Sequence, residues 1–140
     1  GVTVEAVLSD RRADLIAEGF DFAVRVGELR DSSMIARRVG TYRLILVAAP
    51  AFLAAHGTPA HPHDLSAARC LLNLNMSPRN RWPFDRHGQH VVAEVKGGIQ
   101  IDNGEALRKA TLEGAGIAYM PEELVRDDVA TGRLTRLFVD

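Results

Sequence analysis

Apolar and polar positions alternate from Val2 to Val7 in "VTVEAVLSD". That two-residue period predicts a strand with one face buried. In "DRRADLIAEG", Asp10 is placed as an N-cap, Leu15 and Ile16 are expected to face inward, and Gly19 is placed as the stop, so the stretch predicts a short helix. "FDFAVRVG" returns to the strand period, with Phe20, Phe22, Val24 and Val26 on one side and Arg25 on the other. Strand, helix and strand in this order are the grammar of a parallel sheet.

A turn-rich stretch follows, and Gly40 and Thr41 break the extended run after it. "LILVAA" is almost wholly apolar, as in a strand buried on both faces. Pro50 opens a short helix, "PAFLAAHG", that Gly57 closes. "TPAHPHDL" reads as a loop, "CLLNLN" as a strand and "MSPRNR" as a loop. A hairpin is predicted next, with a strand around Trp82–Phe84, a turn at His87–Gly88 and a second strand at Val91–Val95. Asn103 is a good N-cap for the helix after it. Ala106, Leu107, Ala110 and Gly114 form a small-residue face for close packing on a sheet. Gly114 and Gly116 stop that helix, and "IAYM" is a short buried strand. Pro121 opens "PEELVRDDVATG", a helix with Glu122 and Glu123 in its first turn, and "RLTRLFV" is a last strand. The chain is therefore α/β with a mixed sheet, and ligand sites are expected at the carboxyl ends of strands. The junctions Ser9–Asp10, Arg25–Gly27 and Asp102–Asn103 are such ends.

Charge narrows the possible partners. The 140 residues carry 17 Lys and Arg against 18 Asp and Glu, a formal net charge of -1. A chain that grips DNA by itself normally shows a basic excess. Arg11–Arg12 and Arg37–Arg38 are too short to be basic tracts and read as solvated or ion-paired faces. Cys70 is the single cysteine, so no intrachain disulfide and no CxxC motif can form. Its apolar neighbours predict a buried, inert thiol. No apolar run is long enough to span a membrane. No signal sequence opens the chain either, but it begins without Met, in what reads as mid-strand, and looks like a fragment.

Candidate catalytic chemistry is sparse. No dinucleotide, P-loop, zincin or nucleophile-elbow motif occurs. His56, His61 and His63 sit on a helix end and a proline loop without cysteine or clustered carboxylates, so exposed loop histidines are expected, with no metal and no cofactor. His87 and His90 flank the hairpin turn and read as solvated. Nothing links Ser9, a histidine and Asp102 into a triad, and no enzyme is expected. Glu122–Glu123 and Asp127–Asp128 read as solvated helix charges. What remains is a binding constellation. Arg25, inside an apolar strand, can clamp a carboxylate at two points or pair with Glu28. Ser9, before a helix N-terminus, can hold an anion or simply cap. Trp82 and Phe84 share a strand face and either line an aromatic pocket or fill the core. Ser32 and Ser33, after Asp31, are a turn or the lip of a cleft.

Three blocks, "DRRADLIAEGFDFAVRVGELRDSSMIARRVG", "LVAAPAFLAAHGTPAHPHDL" and "IDNGEALRKATLEGAGIAYMPEELVRDDVATGRL", resemble in order and spacing the LysR-type transcriptional regulators. The resemblance covers essentially the whole chain. It implies a bacterial cytoplasmic regulator with an N-terminal winged helix-turn-helix and a C-terminal effector-binding domain. That domain is periplasmic-binding-protein-like, with two Rossmann-like lobes joined by crossover strands and a small molecule between them. By this resemblance, residues 1–42 are part of the first lobe and the crossover, 43–120 the second lobe, and 121–140 the return towards the first lobe. The first lobe is expected to be incomplete and the DNA-binding domain absent. Carried over by position, the effector contacts are Ser9, Arg25, Ser32, Trp82, Phe84 and Asn103. The expected partners are a small and acidic effector, further copies of the chain in a dimer or tetramer, and DNA only through the helix-turn-helix, with no membrane partner. The alternative is a free-standing solute-binding domain of the same fold that binds no DNA.

Overall fold

The computed structural model describes residues 1–11, 13–27 and 34–139. Two compact units are present, Gly1–Thr41 and Tyr42–Asp140.

The second unit is built on a five-stranded sheet. Its strands are β1 (Leu44–Ala48), β2 (Cys70–Asn73), β5 (Gly97–Ile101), β6 (Ile117–Pro121) and β7 (Thr135–Leu137), in the order β5-β2-β6-β1-β7. β2 runs parallel to β5 and β6, whereas β1 is antiparallel to β6 and β7. The mixed sheet read from the sequence is therefore present. β1 lies between two neighbours, and Ile45 to Ala48 are all buried, which is why its sequence shows no polar alternation.

Three helices pack around it, α1 (Pro50–His56), α2 (Gly104–Leu112) and α3 (Glu122–Ala130). Pro50 fills the first position of α1, and Phe52 and Leu53 turn into the core. His56 caps the far end: its Nδ1 lies 3.1 Å from the Phe52 carbonyl, and its ring stacks on Phe52 at 4.4 Å. α2 begins where Asn103 Oδ1 accepts the Ala106 amide at 2.9 Å, the cap expected there. Its buried face is centred on Leu107 and Thr111 rather than on Ala106, which is exposed. Thr111 is tolerated inside because its hydroxyl donates to the Leu107 carbonyl at 2.8 Å.

The predicted hairpin forms a separate two-stranded sheet, β3 (Arg81–Arg86) and β4 (Gln89–Glu94). His87 and Gly88 both have positive φ, 49° and 76°, the geometry of the tight primed turn. The stretch read as the loop "TPAHPHDL" is in part a 3-10 helix, Pro62–Ser66. Asp64 Oδ2 accepts the Ala60 and His61 amides at 2.9 Å each, which closes the turn and holds the carboxyl below its ordinary range.

Asp128 is not the solvated charge its position in "VRDDVA" implied. Its side chain is 1% exposed. Arg108 of α2 grips it at two points, Nε to Oδ2 at 2.6 Å and Nη2 to Oδ1 at 2.9 Å, and Arg133 reaches the same carboxylate. Hydrogen bonding to Asp128 raises the Arg108 guanidinium further above its usual range. The pair ties α3 to α2, and Arg133 adds the turn before β7. Cys70 is buried as expected, and burial pushes its thiol up to about 12.

The first unit departs from its predicted elements. Neither Val2–Val7 nor Phe20–Gly27 forms a strand, and Val2, Val4, Val7, Phe22, Val24 and Val26 are exposed. A strand is made by its hydrogen-bonded neighbour, and the described backbone here supplies no ladder. The predicted helix is reduced to a turn at Leu15–Gly19, and Ile16 is exposed. Asp14, not Asp10, starts it, accepting the Ile16 and Ala17 amides at 3.1 Å. Arg11 pairs with Glu18 through two contacts at 3.0 and 2.8 Å.

Candidate functional site

The parallel strands β2 and β5 end side by side. The loop after β2 and the start of α2 rise from those ends, the place where open α/β sheets present polar groups to ligands. Asn73 closes β2, and its side-chain oxygen accepts the Asn75 amide at 2.9 Å. Asn75 Nδ2 then donates to the Asp102 carbonyl at 2.5 Å, and the Leu74 amide donates to Ile101 at 2.9 Å. The β2 loop is thus laced to the end of β5, one residue before the Asn103 cap. Arg79, further along that loop, donates to Gln100 Oε1 of β5 at 3.2 Å. The result is a polar rim of Asn73, Asn75, Asp102 and Asn103 at the strand ends and the N-terminus of α2, with Arg79 held on β5 at Gln100. It offers amide donors and acceptors, the Asp102 carboxylate, a nearby guanidinium and a positive helix end, a set suited to a small polar molecule.

Of the residues read from the sequence, Asn103 belongs to this rim. Trp82 is wholly buried. Its Nε1 donates to the Arg79 carbonyl at 3.1 Å, so it pins the loop that carries Arg79. Phe84, on the same face of β3, is half-buried and packs against Tyr119 and Phe138 with ring centroids 5.4 Å apart in both cases. Tyr119 also meets Trp82 at 5.6 Å, and its hydroxyl donates to the Pro83 carbonyl at 3.0 Å. Burial and the nearby Asp85 charge raise the Tyr119 phenol above its ordinary range. Ser9 and Arg25 lie in the first unit. Ser9 Oγ accepts the Arg11 amide at 3.1 Å, and the Arg25 guanidinium donates to the Ala13 carbonyl. Ser32 lies outside the described residues, as do Asp31, Ser33 and Glu28.

Asn73, Asn75 and Arg79 were not singled out from the sequence. The signal was "LLNLNMSPRN", in which polar amides follow an apolar strand that others cover on both sides. Among the described residues no group of three or more His, Cys, Asp and Glu stands close enough to hold a metal. Asp85 instead meets His90 Nδ1 at 2.9 Å on the hairpin surface. Among the described residues no helix is long and apolar enough to cross a membrane.

The LysR substrate binding domain model matches residues 1–140. The chain belongs to that family. It is similar to the HTH-type transcriptional regulator PtxR of Pseudomonas aeruginosa, 32% identical over 136 residues, which are 97% of this chain and 44% of that protein. It is 35% identical to the HTH-type transcriptional regulator DmlR of Escherichia coli over 132 residues, 93% of this chain and 43% of that protein. The chain thus spans less than half the length of these curated relatives. Among solved structures, full-length AphB, a virulence activator of Vibrio cholerae, superposes with a TM-score of 0.80 at 32% identity, covering 97% of this chain and 46% of that one. The CrgA regulatory domain of Neisseria meningitidis gives 0.75 at 33%, covering 87% of this chain and 59% of that one. The fold is therefore that of LysR-type regulatory domains, which are periplasmic-binding-protein-like, and the chain is an effector-binding domain of this family.

Proposed function

We propose that the chain senses a small, acidic effector and passes its binding on to DNA contacts made by a helix-turn-helix elsewhere in the full-length cytoplasmic regulator. The observation that carries the reading is the polar rim at the ends of β2 and β5, gathered around the Asn103-capped N-terminus of α2. In a family whose relatives are transcriptional regulators, that rim is read as an effector-binding surface. By the family resemblance, Ser9, Arg25 and Ser32 are further proposed effector contacts. The α2 N-terminus favours a carboxylate, and Asn75, bound to the Asp102 carbonyl, supplies a side-chain donor close to it. Phe84 is proposed by the resemblance as a contact for the effector body, while Trp82 acts from behind by holding the Arg79 loop.

The mechanism is a population shift. An effector that binds one conformation of the regulator more tightly moves the equilibrium by its difference in affinity and by no more than that. In a dimer or tetramer the shift alters the spacing of DNA-binding units and hence the footprint.

The test uses the full-length regulator and a panel of aliphatic and aromatic carboxylates. A binder present at a hundred times its Kd stabilises the protein by about 2.7 kcal/mol, which a thermal-shift screen detects. The same compound should change the DNA footprint. Asn75→Ala and Asn103→Ala should weaken binding while leaving DNA affinity without effector unchanged. If no carboxylate alters stability or footprint, the acidic-effector reading is wrong.

A further inference from the structure

We propose that Phe138 is a ring latch, holding the β3–β4 hairpin to the chain that leaves β7 and releasing both together. Three observations meet at this residue. Its backbone is left-handed, with φ 53°, a conformation that side chains with a Cβ rarely adopt. Its ring stands edge-on to Phe84 of β3, centroids 5.4 Å apart and planes 88° from parallel. The Arg86 guanidinium lies 5.1 Å from the ring centroid on the same strand. Arg86 also donates to the Ala60 carbonyl at 3.0 Å, so the charge over the ring is itself anchored.

The placement gives these contacts their meaning. β3 and β4 form their own sheet, outside the ladder of the five main strands. Side chains must therefore hold the hairpin in place. Trp82, Tyr119, Phe84 and Phe138 make a continuous run of rings from the buried core to the end of β7. Trp82 anchors the inner end and is wholly buried, whereas Phe138 closes the outer end and is half-buried. The ring contacts favour the docked state and the left-handed backbone opposes it. The docked position of Phe138 is thus the net of two opposed contributions, and the latch is that balance. Moving the hairpin withdraws Phe84 and Arg86 and frees Phe138 to relax. Relaxing Phe138 removes the outer support of the hairpin. The coupling is reciprocal, as linkage requires.

Hydrogen–deuterium exchange of the chain, read on peptides over Arg81–Glu94 and Thr135–Val139, tests the latch without any ligand, so its outcome is separate from the effector proposal. Phe138→Asn keeps a residue that accepts the left-handed backbone and removes the ring. It should speed exchange in the hairpin about tenfold or more, as expected for loss of a local tie. Phe138→Tyr keeps the ring and should leave the hairpin unchanged. Phe84→Leu keeps an apolar side chain at the partner position and should speed exchange at Thr135–Val139. The proposal is overturned if Phe138→Asn leaves hairpin exchange at the parent rate, or if Phe84→Leu leaves the β7 segment unaffected. Trp82 emission checks that each variant stays folded, and Phe84→Leu decides the question if Phe138→Asn does not.

Discussion

Asp128→Asn isolates the buried carboxylate that ties α3 to α2. The substitution keeps the shape of the side chain and removes its charge. In the parent, the carboxylate is 1% exposed and accepts Arg108 at 2.6 and 2.9 Å, while Arg133 is also bound to it. Removing one partner of a buried pair costs about 3–5 kcal/mol, because the other charge stays desolvated without its counter-ion. The low end applies here. Arg133 is 57% exposed and can turn to water, and Arg108 keeps Glu105 at 3.3 Å. The expected loss is therefore about 3 kcal/mol, or a fall in Tm of about 12–24 °C for a unit of roughly 100 residues. Urea titration followed by Trp82 emission reads it directly, since that ring is the single tryptophan and is wholly buried. Asp127→Asn, one residue earlier and exposed, is the matched control and should stay within about 0.5 kcal/mol. If the two variants unfold at the same urea concentration, the carboxylate at Asp128 is not holding α2 to α3 and the reasoning fails.

Other outcomes follow from the same structure. Cys70 ionises near pH 9 when unfolded and at about 12 when folded, so between those values the native state holds the extra proton. Stability is then untouched below pH 9 and falls as pH rises through the window, by up to about 1.4 kcal/mol per unit; Cys70→Ala should flatten that slope in urea midpoints measured from pH 8 to 11. Tyr119, raised in the same direction, should leave a residual slope in that variant. Gly116→Ala should destabilise by about 1–3 kcal/mol in a thermal melt, because its Cβ would stand 2.6 Å from the Arg69 carbonyl oxygen, a backbone atom that cannot step aside. Tyr119→Phe removes the 3.0 Å hydrogen bond to Pro83 and should cost about 1 kcal/mol in urea unfolding, with the rings still packed.

What was legible in the sequence was local. The β1 strand, the Pro50 start of α1, the His87–Gly88 turn and the Asn103 cap each depend on residues within a few positions of one another. The family blocks were legible for the same reason, and the family match covers the whole chain. What was not legible depends on distant pairs. Asp128 looks solvated until Arg108, twenty positions earlier, is brought against it. Asn75 looks like an ordinary loop residue until Asp102, twenty-seven positions later, supplies the carbonyl it holds. Trp82 and Phe84 were placed on one face correctly, but spacing alone could not separate a ring that lines a site from one that braces it. The Nε1 bond to Arg79 makes that distinction for Trp82.

The first unit shows the same limit from the other side. Its alternation is as regular as any in the chain, yet Val2, Val4, Phe22 and Val24 stay exposed. Period two states which face a strand would bury, not whether a neighbour exists to bury it. β1 and β6, which carry no such alternation, form strands because each has a partner on both edges. Among the described residues of Gly1–Gly27 no strand forms, and the apolar positions of the pattern stay exposed. A hydrophobic pattern is thus evidence for a sheet only together with the chain that completes it. In the second unit the strands pair with one another, and there the pattern became structure.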